Sequence, residues 1–198
     1  MQKTDISFKR IQQLAIPAII SGIAEPVLSS TDAAVVGNLT ESGTESLAAV
    51  GIVGAFLSML IWILGQTRSA ISSIVSQNLG AGNLDKLNSF PAQAIYFNIG
   101  LSIIVLISTY FFVDEIFRLL NAEGIILQFS LDYYYIRVWG FPLTLFTFAI
   151  FGLFRGLQNT FWPMVIAAIG AVVNIGLDIA LVYGVDSYVP AMGVKGAA

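Results

Sequence analysis

The 198 residues contain no cysteine and no histidine. These absences exclude disulfides, thiolate nucleophiles, metal sites built on sulfur or imidazole, and any histidine proton relay. Charge is scarce as well: Asp, Glu, Lys and Arg make up 11% of the chain, against 57% hydrophobic residues. The formal charge of -3 leaves no basic stripe to follow phosphates, so nucleic acid is not an expected partner. Carboxylates are what remains to bind or release a proton inside an apolar fold.

What the chain has in abundance is hydrocarbon. A mean hydropathy of +0.83 is too high for an ordinary soluble domain and implies an integral membrane protein in a lipid bilayer. Measured against the roughly 20 residues needed to cross a bilayer, five apolar stretches qualify, at about 11–36, 47–75, 90–113, 131–154 and 163–183. Lys3, Lys9 and Arg10 precede the first, as in a signal peptide, but the run is too long and contains Glu25 and Asp32, so it reads as a retained span. Lipid leaves helices or closed barrels as the ways to satisfy the backbone, and strand alternation is missing. The expected fold is therefore an all-α membrane bundle occupying residues 1–198. Met192 to Ala198 reads as the start of a sixth helix, so the chain is expected to stop before or within that helix.

The basic residues set an orientation. Threading five spans puts Lys3, Lys9, Arg10, Lys86 and Arg155 on the side of the N-terminus, and Arg118 and Lys195 opposite, which predicts a cytoplasmic N-terminus. Glu41, Glu45, Asp114, Glu115, Glu123 and Asp186 then fall on outward loops. Gly80-Ala81-Gly82 has neither a strand before it nor a Gly-Lys after it, so it ends a helix rather than cradling a nucleotide.

Asp32 and Asp178 stand out because each lies inside a span, where a carboxylate costs roughly 2.5 to 3.5 kcal/mol unless it faces a cavity, a partner or an ion. At 1.5 Å per residue they sit about 6 Å and about 7.5 Å from the ends of the first and fifth spans, hence at one level. Asn174 lies one turn before Asp178 on the same face. The fourth span runs the other way and brings Tyr133, Tyr135 and Arg137 to a similar depth.

Local sequence around these residues has a recognisable pattern. Pro17 and Asp32 are followed by Val36-Gly37-Asn38-Leu39; Ser76-Gln77-Asn78-Leu79-Gly80-Ala81-Gly82-Asn83 follows the second span. Tyr135-Ile136-Arg137, Arg155-Gly156-Leu157-Gln158-Asn159-Thr160 and the Asn174/Asp178 pair follow in order. Together they resemble the multidrug and toxic compound extrusion (MATE) transporters, most closely the DinF branch, from about Leu14 to Ala198. Asn159 departs from that pattern, which has an acid there.

The resemblance implies the N-terminal half of a twelve-helix secondary transporter that exports cationic or amphipathic compounds by antiport with H+ or Na+. It implies a missing C-terminal bundle, a bacterial inner (plasma) membrane location, no cofactor beyond the coupling ion, and no enzymatic activity. Carried onto this chain, Asp32, Asn174 and Asp178 form the proton or sodium coupling site. Tyr133 and Tyr135 compete for a supporting place, and Pro17 marks where the first helix bends. Carboxylate and amide oxygens are hard ligands suited to sodium. Two acids at one level repel when both are ionised, and a proton or sodium ion between them would favour a different helix packing.

Three residues keep more than one reading. Glu25, just before Pro26, is a second proton carrier, a contact for a cationic compound, or a partner for Arg68 or Gln66. Arg68 is expected to reach the nearer interface. Arg137 either holds the acids ionised or anchors an interfacial belt with Tyr133, Tyr134 and Trp139, and the belt is the expectation. Among competing functions, an intramembrane aspartyl protease lacks its flanking residues, since Thr31 precedes Asp32 and Leu177 precedes Asp178. A lipid-linked oligosaccharide flippase would call for a cationic cavity, and a non-transporting scaffold would need no buried acids.

Overall fold

The computed structural model describes residues 7–39, 43–185 and 190–198, so Lys3, Glu41 and Asp186 lie outside the described residues. Among the described residues seven α-helices follow one another: α1 Phe8–Gly37, α2 Gly43–Leu64, α3 Gln66–Gly80, α4 Leu84–Leu119, α5 Gly124–Arg137, α6 Phe141–Gly156 and α7 Phe161–Tyr183. They make five membrane spans, because α2 with α3 and α5 with α6 are each one interrupted span. A 3-10 turn at Gly193–Ala197 follows α7. Three spans extend well past the apolar stretches; α4, for instance, adds Leu84 to Ser89 and Asp114 to Leu119 as polar helix at its two ends.

Both interruptions have local causes. The fourth span narrows to a 3-10 turn at Val138–Gly140 because Pro142 has no N–H to give the Val138 carbonyl; the Phe141 N–H takes that acceptor instead. The second is broken at Gly65, where a Cβ would stand 2.6 Å from the Ile61 carbonyl oxygen. Helix α1, by contrast, runs through Pro17 and Pro26 without leaving the α-helical pattern.

Packing is pairwise, with α1 chiefly on α7, α3 and α4 on α6, and α2 on α5. The largest apolar core gathers Val36, Val53, Phe117, Tyr134, Val138 and Val182 near one end of the bundle. Outward faces are hydrocarbon, as at Ile104, Phe111 and Phe112 on α4 and Val172 and Val173 on α7. An exposed apolar belt of this kind is what a bilayer covers.

The last segment folds back on the bundle. Lys195 pairs with Asp132 at 3.2 Å, the Met192 N–H donates to the Leu181 carbonyl at 2.9 Å, and a Cβ on Gly196 would collide with the Leu181 backbone at 2.6 Å. That closeness brings the backbone of Ala197 beside the end of α5.

Candidate functional site

Helices α1 and α7 make the most extensive contact among the described elements, and each carries one of the two acids on its facing side. Asp32 is 2% and Asp178 3% exposed, and the Asp178 carboxyl lies within hydrogen-bonding reach of the Asp32 carboxyl. Asn174 opens onto the same cavity as Asp32, a space of about 290 Å3 that also takes in Glu25, Tyr133, Arg137 and Thr144. Asp32 Oδ1, Asn174 Oδ1 and Asp178 Oδ2 are buried and accept no hydrogen bond. Each such orphaned acceptor costs about 1–3 kcal/mol, so three on two facing helices form a set of oxygen donors suited to a proton or small cation. Among the described residues no group of three or more acidic, histidine or cysteine side chains converges.

Arg137 is where the structure departs most from expectation. It does not reach outward as an anchor: its Nη2 lies 3.3 Å from Asp32 Oδ2, its guanidinium stands 5.7 Å over the Tyr133 ring, and its Nη1 donates to the Ala197 carbonyl at 3.3 Å. The reason is helical spacing, since Tyr133 and Arg137 are four apart on α5 and share the face that lines the cavity. Tyr134 leaves the expected belt too; it is fully buried and its hydroxyl donates to Thr109 Oγ1 at 2.6 Å. Trp139, 65% exposed, stays outside.

The same spacing separates the two competing tyrosines. Tyr133 is buried and lines the cavity, whereas Tyr135 is half-exposed on the far side of α5 with its ring 5.1 Å from that of Tyr110. Pro17 is also remote from the acids, about 22 Å along α1 from Asp32 at the helical rise.

Glu25 sits two turns before Asp32 and borders two spaces. Besides the first cavity it lines a second of about 550 Å3, together with Ser58, Trp62, Gln66, Arg68 and Phe148. Neither expected partner closes on it. The ion pairs among the described residues are Asp32–Arg137, Asp114–Arg118 and Asp132–Lys195, and Gln66 donates to the Trp62 carbonyl instead. Arg68 does not run to the interface; it lies 5.2 Å over the Phe148 ring with its Nε buried and unpartnered. Glu25 and Arg68 thus face each other across a gap, with opposite charge on either wall.

One feature of the site escaped the sequence outright, and a second was legible in two ways. The Ala197 carbonyl joins it only because the segment after α7 folds back on the bundle, which no local pattern announces. Arg137 carried a usable signal in its four-residue spacing from Tyr133.

Known proteins share both the fold and the order of these elements. The chain is 28% identical over 193 residues to DNA damage-inducible protein F of Escherichia coli (strain K12), covering 97% of this chain and 40% of that protein. It is 27% identical over 197 residues to the multidrug resistance protein MdtK of Edwardsiella ictaluri (strain 93-146), covering 99% and 42%. In three dimensions it superposes on a MATE protein solved in the bent conformation with a TM-score of 0.87, at 24% identity, covering 96% of this chain and 41% of that one. The MATE multidrug transporter DinF-BH gives 0.85 at 25% identity, covering 98% and 42%. The chain therefore spans about two fifths of the length of the relatives it matches. The family model MatE matches residues 17–180, a stretch that begins at the first helical proline and takes in Asp32, Tyr133, Arg137, Asn174 and Asp178, and this multi-pass membrane chain belongs to the MatE family.

Proposed function

We propose that this chain forms the ion-coupled N-terminal half of a secondary transporter that exports cationic or amphipathic compounds by antiport with H+ or Na+. The observation that supports this reading above the others is the burial, on two packed transmembrane helices, of three oxygens left without hydrogen-bond donors: Asp32 Oδ1, Asn174 Oδ1 and Asp178 Oδ2. Two ionised carboxylates cannot rest within hydrogen-bonding reach unless a proton or cation lies between them. Loading and unloading that charge therefore changes how α1 and α7 prefer to pack, and an ion gradient acting on this equilibrium can drive release of a bound compound.

Tyr133 closes one wall of the site, Glu25 offers a negative charge to a cationic compound at the junction of the two cavities, and Pro17, which cannot donate to the Gln13 carbonyl, is the point where α1 bends. A C-terminal bundle completes the pathway. The setting is the bacterial inner membrane with the N-terminus in the cytoplasm, where Lys9, Arg10, Lys86 and Arg155 collect at one end of the bundle. A proteolytic role for the paired acids is disfavoured by Arg137, which holds Asp32 as an ion pair rather than leaving it free to activate water.

The test is ethidium movement in energised membrane vesicles that carry the complete transporter. Dissipating the ion gradient should stop transport, and D178N and D32N should each abolish it while the protein still reaches the membrane. Gradient-driven efflux that persists in both variants would refute the coupling site.

A further inference from the structure

We infer that Arg137 is a tethered counter-cation that competes with the transported ion for Asp32, so that the coupling site accepts one monovalent charge and turns divalent cations away. The inference rests on the reading of Asp32, Asn174 and Asp178 as the ion site and adds a regulator to it.

A guanidinium stays charged at every physiological pH, so a charge placed here by the sequence is permanent. With Asp32 and Asp178 both ionised, Arg137 brings the formal charge of the acid pair from -2 to -1, Glu25 lying two turns away along α1. A single monovalent ion then neutralises it, whereas a divalent ion would leave a net positive charge in a low-dielectric pocket.

The manner in which Arg137 is held decides whether it can yield. A locked Arg–carboxylate pair is bidentate with N···O distances near 2.7–2.9 Å. Here a single contact is made, at 3.3 Å, and the second nitrogen is turned to the Ala197 carbonyl at 3.3 Å. The Tyr133 ring beneath supplies a further resting place for the charge, and a third of the side chain remains accessible from the cavity. Asp32 keeps Oδ1 free of hydrogen bonds all the while, so an incoming ion has an oxygen to bind before the guanidinium lets go of the other.

The experiment measures equilibrium binding of radioactive Na+ and Ca2+ to the complete transporter in lipid nanodiscs, for wild type, R137Q, R137K and Y133L. R137Q should bind Na+ about tenfold more tightly than wild type, or gain binding where wild type shows none, and should begin to bind Ca2+. R137K keeps the charge and should retain both the wild-type Na+ affinity and the exclusion of Ca2+. Should R137Q fail to reach the membrane, Y133L decides, since removing the ring on which the guanidinium can rest must leave it on Asp32 and weaken Na+ binding. Unchanged or weaker Na+ binding in R137Q, or no Na+ binding by any variant, overturns the inference. The two readings fail separately: loss of efflux in D32N and D178N alongside wild-type Na+ affinity in R137Q removes only the counter-cation, whereas intact efflux in D32N and D178N removes the coupling site itself.

Discussion

The Tyr183 hydroxyl donates a 2.7 Å hydrogen bond to the carbonyl oxygen of Val35, joining the last turn of α7 to the last turn of α1 across 148 positions of sequence. Carbonyls in a helix's final turn have no intrahelical donor, and in α1 three of the four find another: Ala34 accepts from the Asn38 side chain at 2.7 Å, Val36 from the Leu39 N–H at 3.2 Å, and Val35 from Tyr183. At the opposite end of the pair the Thr160 hydroxyl donates to the Leu14 carbonyl at 3.0 Å. Asp32 and Asp178 are thus held level by a tie at each end of the two helices that carry them.

Removing the nearer tie tests that arrangement. Y183F leaves the ring and its packing in place but strands the Val35 carbonyl, at a cost of about 1 kcal/mol. Thermal unfolding of the purified protein should shift down by about 2–4 °C. An unchanged Tm would mean that water serves the carbonyl equally well.

Close packing of α3 against α6 depends on two glycines one turn apart. A Cβ at Gly156 would lie 2.5 Å from Val75 Cβ and 2.9 Å from the Ser72 carbonyl oxygen, and one at Gly152 would lie 2.8 Å from the Arg68 carbonyl oxygen. Small residues at such positions let transmembrane backbones approach. G156A should therefore cost about 1–3 kcal/mol through overpacking, whereas G170A on α7, with nothing within 4 Å, should be close to neutral. Comparing the thermal midpoints of the two variants checks the contrast; equal midpoints would show that α3 can slide away without penalty.

The five spans and the pairing of the acids were legible because they depend on patterns local in sequence: runs of hydrocarbon, and a carboxylate placed where hydrocarbon is expected. Depth could be counted from the helical rise, and Asp32 and Asp178 do lie against each other, with Asn174 on the cavity that Asp32 lines. What the sequence hid was the direction of long side chains. Arg137 and Arg68 each have a snorkelling route to an interface and an inward route to an acid or a ring, and only the packing of a second helix chooses between them. Asn98 is silent in the sequence for a related reason, since one amide in a long apolar run gives no sign that it will be fully buried and take a 2.7 Å hydrogen bond from the Thr67 hydroxyl.

Tyr133 and Tyr135 give a paired comparison at the same depth. Y133L removes the ring under the Arg137 guanidinium, an interaction worth about 0.5–2 kcal/mol, and should alter the ion dependence of ethidium transport. Y135L disturbs an aromatic contact with Tyr110 away from the cavity and should leave that dependence alone. The measurement is initial transport rate against ion concentration; a shifted midpoint in Y135L with none in Y133L would reverse the assignment.

Glu25 offers a test of whether compound binding and ion coupling use different groups. It borders both cavities and no side chain of the described residues pairs with it within 4 Å, so its charge is available to a cationic compound without being part of the acid pair. E25Q keeps the shape and removes the charge, which for a partly solvated contact should raise KM for ethidium about tenfold, equivalent to about 1.4 kcal/mol, with little change in maximal rate. D178N, by contrast, should lower the maximal rate at every ethidium concentration, because it removes the step that the gradient drives. An uncharged amphipathic compound provides the internal control: its KM should be the same in wild type and E25Q. If E25Q lowers the maximal rate for charged and uncharged compounds alike, Glu25 belongs with the ion-carrying acids and the second cavity loses its role in recognising cations.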